Sequence, residues 1–418
     1  MSRDIHAPIE HKEEDLLGRH LLAERIYSRL CREDCPQAIG VYGGWGTGKT
    51  SLLKLLLEIH DKVKAPLLQI EYIDAWQYEN SGDLFVPAIV RLMARKTAVN
   101  QDISTYLKRV SLAALYMGSD IALRSLTGLD FGDVERYMGE VKHNEGKHIT
   151  SLTWEDLTDT VEETNRAMKA LVDKVNQGIQ LAKIAFLIDN LDRCSPENTV
   201  RLLESIKNFL SVPGCVWVFA MDSGVVASYI DRKYEGTTMD GNSYLDKIIP
   251  EQYHLSFFPE ESDSRIYDLV RSAAGRELTL NDWKRLPLIP SVMVPRRLKK
   301  STVKFAEYFD GQRTGGDRDT VFLLCLLYHS WPDFYERLSS SSSQHIGRIL
   351  ANFFQKKNFQ DESVRWGEYM PLPLDKKFAE NQDLIYFLQT AFPNNSSGEE
   401  VVGEIHQAMA GLRQIGLP

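Results

Sequence analysis

Eight residues near the N-terminus, 43–50, constrain the fold more strongly than any other stretch of the chain. They read Gly-Gly-Trp-Gly-Thr-Gly-Lys-Thr and match the spacing G-x-x-x-x-G-K-[ST]. The apolar run 38–42, which predicts a buried strand, precedes them, and the helix formers of 51–59 follow. Strand, glycine loop and helix in this order predict a phosphate-binding loop, because backbone N–H groups and the helix N-terminus then face the phosphates.

The residue types within the loop predict how it binds a nucleoside triphosphate. The ammonium of Lys49 would reach the β- and γ-phosphates, and the hydroxyl of Thr50 would ligate Mg²⁺. We therefore predict ATP and Mg²⁺ as the bound cofactors, with the preference for adenine over guanine left open. The predicted nucleotide-binding residues are those of the loop and the residue after it: Gly43, Gly44, Trp45, Gly46, Thr47, Gly48, Lys49, Thr50 and Ser51.

A second stretch, 184–193, carries acidic residues at the end of an apolar run. The unbroken run 184–188 predicts a strand that is buried on both faces, as in a parallel sheet. Asp189 at its carboxyl end is placed to hold Mg²⁺ through water. We therefore predict Thr50 and Asp189 as the metal site, and Lys49 and Asp189 as catalytic residues.

Further apolar runs extend this pattern into a sheet. The runs 67–74 and 215–221 read as strands, and 244–249 and 253–257 read as the segments that complete the sheet. Stretches of helical character separate them, so that four or five β–α units follow one another. This order predicts an α/β fold built on a doubly wound parallel sheet.

Changes in residue pattern divide the chain into predicted regions. Residues 1–14 read as a flexible arm, and 15–258 form the nucleotide-binding core with a helical insertion at 97–180. Residues 259–310 read as a helical lid, and 311–418 as a helical C-terminal domain. The length supports two or three domains, since one hydrophobic core seldom grows beyond ~250–300 residues.

Charge and composition argue against several classes of protein. The net charge of −9 argues against broad electrostatic binding to nucleic acid, although it leaves room for a local basic patch. Five cysteines, an odd number, predict reduced thiols in a cytoplasmic protein. The polar first 15 residues differ from a signal peptide, and the most apolar later window, 110–119, falls short of the ~20 residues of a membrane span.

Three further residues each allow two interpretations. Asp222 follows an apolar strand and either senses the γ-phosphate or caps the following turn. Trp76 follows another strand and either packs its loop down or lines the rim of the site. Arg296 lies in a cluster of cations after Pro295, which is either a solvated helix start or a sensor of the γ-phosphate.

Several of these stretches together resemble the KAP family of P-loop NTPases. They cover about 15–309 in the order of that family: 15–19, 43–51, 74–79, 188–194, 244–249 and 295–299. The resemblance implies an ATPase core of the additional-strand type, related to the AAA+ and STAND groups. It also implies bacterial relatives that act in phage exclusion or defence, usually beside an effector protein.

One position departs from the pattern of that family. Its members commonly carry two adjacent acids where this chain has Asp189 and Asn190. The second acid polarises the attacking water, whereas an amide can orient water but cannot accept its proton. Asp192 could take over, because two residues along a strand return to the same side. Asn190 and Asp192 are therefore further candidate catalytic residues, and slow hydrolysis is expected.

Two functions are consistent with these features. The first is an ATP-hydrolysing switch in a homo-oligomer, in which Arg296 reads the γ-phosphate, with Asp222 or a subunit-crossing Arg193 as further sensors. Its helical C-terminal part would pass the nucleotide state to an effector partner. The second is a scaffold whose oligomer is stabilised by ATP with negligible hydrolysis. A small-molecule kinase is disfavoured because no acceptor-binding motif is legible.

Overall fold

The structure is a computed structural model that describes residues 7–64, 68–81, 183–209, 214–236, 240–255, 289, 292–310, 318–354, 369–392 and 398–418. These residues belong to two compact units. One unit is Pro8–Leu255, and the other is Ser256–Pro418 together with Met1–Ala7. The boundary between them lies three residues before the predicted end of the core at 258.

The first unit is built on a five-stranded sheet in the order β2-β3-β4-β1-β5. Every neighbouring pair of strands is parallel. The strands are β1 Ala38–Tyr42, β2 Leu68–Asp74, β3 Lys183–Asp189, β4 Cys215–Met221 and β5 Glu251–His254. Because all strands run the same way, their carboxyl ends meet at one edge of the sheet, where ligands bind in folds of this kind.

Five α-helices are described in this unit. They are α1 Arg19–Cys31, α2 Lys49–Lys62, α3 Pro196–Phe209, α4 Ser223–Lys233 and α5 Gly241–Ile248. Three short 3₁₀ helices, Lys12–Glu14, Ala75–Ser81 and Leu191–Arg193, complete the described elements. The last two begin directly after β2 and within two residues of the end of β3, so they lie at the carboxyl edge of the sheet.

The sheet is covered on both faces, as a doubly wound fold requires. Ile39 and Val41 of β1 pack into a core formed with α1 and α2. Ala38 and Tyr42 of the same strand belong to a second core, formed with α3, α4 and α5. Alternate residues of one strand therefore enter opposite cores, which explains why the strands read as continuous apolar runs. The predicted α/β doubly wound parallel sheet is confirmed.

One predicted strand segment is wrong. Residues 244–249 form most of helix α5 and its C-terminal cap, and the last strand begins only at Glu251. Asp240 caps the helix, since its side chain accepts a hydrogen bond from the backbone N–H of Ser243. Tyr244, Leu245 and Ile248 are the buried apolar face, at helical spacing. Short apolar runs do not distinguish a strand from a buried helix by periodicity, and here the capping aspartate decides.

The segment before α1 contacts the nucleotide-binding unit, in contrast to the predicted loose arm. The backbone N–H of Ile9 donates to Ser51 Oγ at 3.3 Å. The backbone N–H of Lys12 donates to Glu58 Oε2 at 2.8 Å. Residues 9–14 are therefore held against helix α2, which begins inside the loop at 43–50.

The helices and strands described in the second unit are all helices. Its helices are α6 Pro295–Asp310, α7 Arg318–Ser330, α8 Pro332–Ser339, α9 Ser343–Phe354, α10 Lys376–Ala379, α11 Gln382–Ala391 and α12 Gly398–Arg413. The hydroxyl of Ser301 on α6 donates to the carbonyl oxygen of Cys325 on α7 at 3.1 Å. The described part of the predicted lid therefore packs into one unit with the predicted C-terminal domain.

Two predicted regions lie outside the described residues. They are the helical insertion at 97–180 and the first part of the lid at 259–288. Within the described ranges, no helix is both long enough and apolar enough to cross a membrane.

Candidate nucleotide-binding site

The loop 43–48 leaves β1 at the carboxyl edge of the sheet and turns into α2. The backbone N–H of Gly43 donates to the carbonyl oxygen of Met221 at the end of β4, at 3.2 Å. Inside the loop, Thr47 Oγ1 donates to the carbonyl oxygen of Gly44 at 2.8 Å. Gly46 and Gly48 have φ angles of 88° and 99°, a region that only glycine enters at little cost. The glycines therefore permit the turn that places α2 under the loop.

Lys49, the first residue of α2, folds back over the loop. Its ammonium donates to the carbonyl oxygens of Gly43 at 2.7 Å and Gly44 at 3.3 Å. It also pairs with Asp192 Oδ2 at 3.3 Å. The residue is only 8% exposed. An ammonium has three N–H donors, so these three acceptors satisfy a buried charge that would otherwise be costly.

Asp189 ends β3 and is fully buried beside the loop. Its Oδ2 accepts a hydrogen bond from the Tyr72 hydroxyl at 2.9 Å, and its Oδ1 accepts one from the backbone N–H of Asn190 at 2.9 Å. The Thr50 hydroxyl is also hydrogen-bonded to this carboxylate. Burial raises the pKa of Asp189 above its usual range, although these hydrogen bonds oppose the shift.

The surroundings of Asp189 fit the predicted metal. A buried carboxylate next to a threonine hydroxyl supplies the oxygen ligands that Mg²⁺ prefers, and a divalent cation would offset the cost of burying the charge. Tyr72 contributes the hydrogen bond that orients the carboxylate, a contact that metal sites commonly require of residues behind the ligands. The structure therefore brings the two predicted metal ligands, Thr50 and Asp189, together.

Asn190 has a left-handed backbone, with a φ of 57°. Asparagine is one of the few residues other than glycine that adopt this conformation readily. Its side-chain Nδ2 donates to Asp74 Oδ1 at 3.0 Å. Asp74 ends β2 and is the paired neighbour of Asp189 in the sheet. The amide at position 190 is therefore joined to a carboxylate from the adjacent strand.

Asp192 reaches the loop by a route that differs from the predicted one. Strand β3 ends at Asp189, and the left-handed turn at Asn190 starts the 3₁₀ helix Leu191–Arg193. Alternation along a strand therefore does not apply at Asp192. Its Oδ2 accepts hydrogen bonds from Lys49 Nζ and, at 3.1 Å, from the backbone N–H of Asp222. A catalytic role for Asp192 stays a prediction.

Asp222 caps helix α4. Its Oδ1 accepts from the backbone N–H groups of Gly224 at 3.1 Å and Val225 at 3.4 Å. The sequence allowed two roles for Asp222, and these hydrogen bonds correspond to capping of the following turn. Its Oδ2 lies toward the phosphate-binding loop, since a Cβ built on Gly44 would come within 3.8 Å of it. Contact with a γ-phosphate stays a prediction.

The rim of the site carries exposed aromatic residues. Trp45 is 62% exposed and Trp76 is 54% exposed. The guanidinium of Arg193 lies 5.7 Å from the centre of the Trp76 ring, within the range of a cation–π contact. Of the two interpretations of Trp76, exposure favours a place on the rim over burial beneath the loop.

Glu79 fixes the 3₁₀ helix Ala75–Ser81 to the start of α3. Its Oε1 accepts from the backbone N–H of Ser195 at 2.9 Å and from Asn198 Nδ2 at 3.2 Å. Asn198 Nδ2 also donates to the carbonyl oxygen of Glu79 at 2.8 Å. Glu79 thereby joins the segment that follows β2 to the segment that follows β3.

This site can be compared with known proteins. The KAP family P-loop domain matches residues 19–265, more than half of the chain. The chain belongs to the KAP family. The resemblance of its motifs to that family is thus confirmed, and a P-loop NTPase domain carries the site.

The chain is similar to the phage T7 exclusion protein of Escherichia coli strain K12. The KAP chain is 21% identical to it over 397 residues, which are 87% of this chain and 51% of that protein. It therefore spans about half the length of this relative.

Two solved structures are also similar to the chain. A Walker-type ATPase of Pyrococcus abyssi is 12% identical and aligns with 98% of this chain and 100% of its own, at a TM-score of 0.40. Cdc6p from Pyrobaculum aerophilum is 14% identical and aligns with 99% of this chain and 98% of its own, at a TM-score of 0.41.

The KAP domain places most predicted site residues together, and it adds others. Lys49, Thr50, Asp189 and Asp192 meet around the loop, whereas Arg296 lies in the first turn of α6, in the other unit. Its role stays a prediction. Sequence analysis missed the contacts of Tyr72 and Asp74 with residues 189 and 190. One signal in the sequence pointed to these contacts: an aspartate stands at the end of each of two predicted strands, at positions 74 and 189.

Proposed function

We propose that this KAP chain is a Mg²⁺-dependent ATPase whose nucleotide state acts as a switch. The observation that carries the proposal is the set of acceptors around Lys49. Its three partners include Asp192, which also accepts from the backbone N–H at the start of α4. A bound phosphate would replace some of these partners, so that binding changes the contacts of the turn at Leu191–Arg193.

The residues have distinct parts in this reaction. The N–H groups of the loop and Lys49 bind the β- and γ-phosphates and hold the phosphorus in place for attack by water. Thr50 and Asp189 hold Mg²⁺, which neutralises charge on the phosphates when it is bound. Tyr72 orients Asp189 through its hydrogen bond. Arg296, or Arg193 of a second copy, stabilises the charge that develops on the γ-phosphate.

The biological setting is part of the proposal. A relative named phage T7 exclusion protein supports a role in anti-phage defence, in which the switch controls an effector protein. We place the protein in the cytoplasm as a homo-oligomer, without a membrane partner. A nucleic acid ligand is left open, since the net charge of −9 disfavours broad binding without excluding a local patch.

Replacing the loop lysine tests the ATPase. Lys49→Ala should lower ATP affinity and reduce Mg²⁺-dependent phosphate release by at least about 100-fold, because the charge that binds the phosphates is lost. Binding is measured by calorimetric titration and turnover by released phosphate. Lys62→Ala is the matched control, since Lys62 lies at the exposed far end of the same helix and pairs with Glu58. Turnover that survives Lys49→Ala while thermal unfolding shows a folded protein would overturn the proposal.

A second candidate is an ATP-binding scaffold with negligible hydrolysis. The observation that favours it is the amide of Asn190 at the position after Asp189, since an amide cannot accept a proton from water. The two candidates differ in turnover, and both require ATP to bind. A wild-type protein that binds ATP, assembles and releases no phosphate would support the scaffold over the switch.

A further inference from the structure

We propose that Asp74 is the catalytic carboxylate that accepts the proton of the attacking water, with Asn190 as its positioning partner. The inference rests on the proposed ATPase function and deepens it. It assigns to the end of β2 the second acid that is lacking after Asp189, where the chain has Asn190. The two positions would then form one unit, in which the carboxylate comes from the end of β2 and the amide from the residue after β3.

The placement of Asp74 is the first observation. Asp74 ends β2, Asp189 ends β3, and the two are paired neighbours in the parallel ladder. Both therefore project from the carboxyl edge of the sheet, where the phosphate-binding loop also leaves β1. A carboxylate at this edge lies beside the predicted Mg²⁺ ligand without being part of that ligand pair.

The hydrogen bonds of Asp74 are the second observation. Its Oδ1 accepts from Asn190 Nδ2 at 3.0 Å and from the backbone N–H of Trp76 at 3.2 Å. Among the residues that the structure describes, no hydrogen bond reaches Oδ2 of Asp74. Two donors fix the orientation of the carboxylate through one oxygen, and the other oxygen is left to meet a water molecule.

The other three acids at this edge also have hydrogen-bond partners. Both oxygens of Asp189 accept hydrogen bonds, from Tyr72 and from the backbone of Asn190. Asp192 is paired with the ammonium of Lys49 and also accepts from the backbone N–H of Asp222. Asp222 uses Oδ1 to cap α4. Asp192 and Asp222 also each have one oxygen that no described donor reaches, so Asp74 is distinguished by its place. It is the paired neighbour of Asp189 and the acceptor of the Asn190 amide.

The chemical step balances without a further reactant. One proton of the attacking water passes to the Asp74 carboxylate while the water oxygen forms a bond to the γ-phosphorus. The bond between that phosphorus and the β,γ-bridging oxygen breaks, and ADP leaves with the electron pair. The products are ADP and inorganic phosphate, and Asp74 returns its proton to the solvent. General base catalysis of this kind contributes about 10²–10⁴-fold to a rate.

Exchanging the two residues provides the test. The variants are Asp74→Asn, Asn190→Asp and the double exchange D74N/N190D, which keeps one amide and one carboxylate in contact. Position 190 accepts aspartate because aspartate also tolerates the left-handed backbone. We expect Asp74→Asn to lower kcat by about 100-fold or more. Its affinity for ATP, measured by calorimetric titration, should stay within about threefold of the wild type, because an amide still accepts a hydrogen bond from Asn190.

The double exchange separates catalysis from structure. If the pair works as a unit, D74N/N190D should regain at least about tenfold in kcat over Asp74→Asn, since a carboxylate has returned to the same contact. If the pair is purely structural, the variants should instead change thermal stability and ATP affinity together and leave kcat unchanged. Asp192→Asn is the comparison for the competing acid, and it should change ATP affinity more than kcat.

The outcomes distinguish this inference from the proposed function. A wild type that hydrolyses ATP, with an Asp74→Asn variant whose kcat stays within about threefold, overturns the role of Asp74 alone. A wild type that binds ATP without turnover overturns it as well and favours the scaffold. Failure of the wild type to bind ATP refutes the proposed function itself.

Discussion

The carboxyl of Asp189 is buried at the end of strand β3, and this burial has a cost in stability. Its pKa is raised by burial, so the fold disfavours the ionised form. For such a group, the contribution to folding stability is present below the ordinary pKa and is lost as the pH rises through the pKa of the folded state. At neutral pH the ionised carboxylate therefore lowers the stability of the protein without metal.

Replacing this charge should separate stability from function. We expect Asp189→Asn to raise the Tm of the nucleotide-free protein at pH 7 by about 2–4 °C, the shift that ~1 kcal/mol produces in a unit of this size. The same variant should lose the extra Tm that Mg²⁺ and ATP give the wild type. Thermal unfolding between pH 4 and 8 measures both, with the exposed Asp61→Asn as control. A lower Tm at pH 7 would contradict this account of Asp189.

The 3₁₀ helix Ala75–Ser81 is attached to the start of α3 through Glu79. Burial acts to raise the pKa of Glu79, but hydrogen bonds from Ser195, Cys194 and Asn198 outweigh it and lower that pKa. A lowered pKa means that the contribution to stability is present above the ordinary pKa of glutamate and is lost as the pH falls through the pKa of the folded state. The attachment should therefore weaken in acid.

Two variants test this attachment. Glu79→Ala should lower the free energy of unfolding at pH 7 by about 1–3 kcal/mol, since the N–H of Ser195 and the amide of Asn198 lose an acceptor. Glu79→Gln keeps an acceptor but cannot ionise. We expect it to lose less stability at pH 7 and to have a flatter dependence between pH 3 and 6. Urea unfolding across that range is the measurement, and equal pH profiles for the wild type and Glu79→Gln would exclude the carboxylate as the cause.

The elements also show what the sequence could and could not predict. The strands Ala38–Tyr42 and Cys215–Met221 have the predicted bounds, because burial on both faces leaves a continuous apolar run with polar or glycine ends. The motif likewise predicts Lys49 and Thr50, since the order of strand, loop and helix fixes their place. In contrast, the run 244–249 is a helix, because its length and periodicity did not distinguish the two states.

Contacts between strands were beyond sequence reasoning. The hydrogen bond from Asn190 to Asp74 depends on which strands are neighbours and on their register, and neither is encoded in local pattern. The pairing of Asp192 with Lys49 depends on a left-handed turn at one asparagine. The first feature arises from the topology of the sheet and the second from the backbone conformation of one residue, so each required the structure.

The division of the chain into two units bears on how copies of the protein assemble into an oligomer. The described strands of the KAP unit form one parallel sheet, while the helical unit carries Arg296 on its first described long helix. A γ-phosphate sensor on a separate unit, or on a second copy, would couple nucleotide binding to the arrangement of chains.

Mass measurements should show this coupling. We expect the mass in solution to rise from monomer to oligomer with ATP and Mg²⁺, and to stay at the lower value with ADP or in Lys49→Ala. Light scattering after size exclusion is the measurement, with Lys62→Ala as control. The Arg296→Ala variant should still bind ATP, and its mass in solution should rise less when ATP and Mg²⁺ are added. A mass that is the same under all nucleotide conditions would exclude nucleotide-controlled assembly in both candidate functions.

The left-handed backbone at Asn190 has an evolutionary consequence. Only glycine, asparagine and aspartate occupy such a position at little cost, so the turn limits natural variation there to a small alphabet. Codons for asparagine and aspartate differ by a single base. One mutation at position 190 and one at position 74 would therefore interchange acid and amide while the turn persists. Whichever of the two mutations comes first, position 190 always holds a residue that tolerates the left-handed turn.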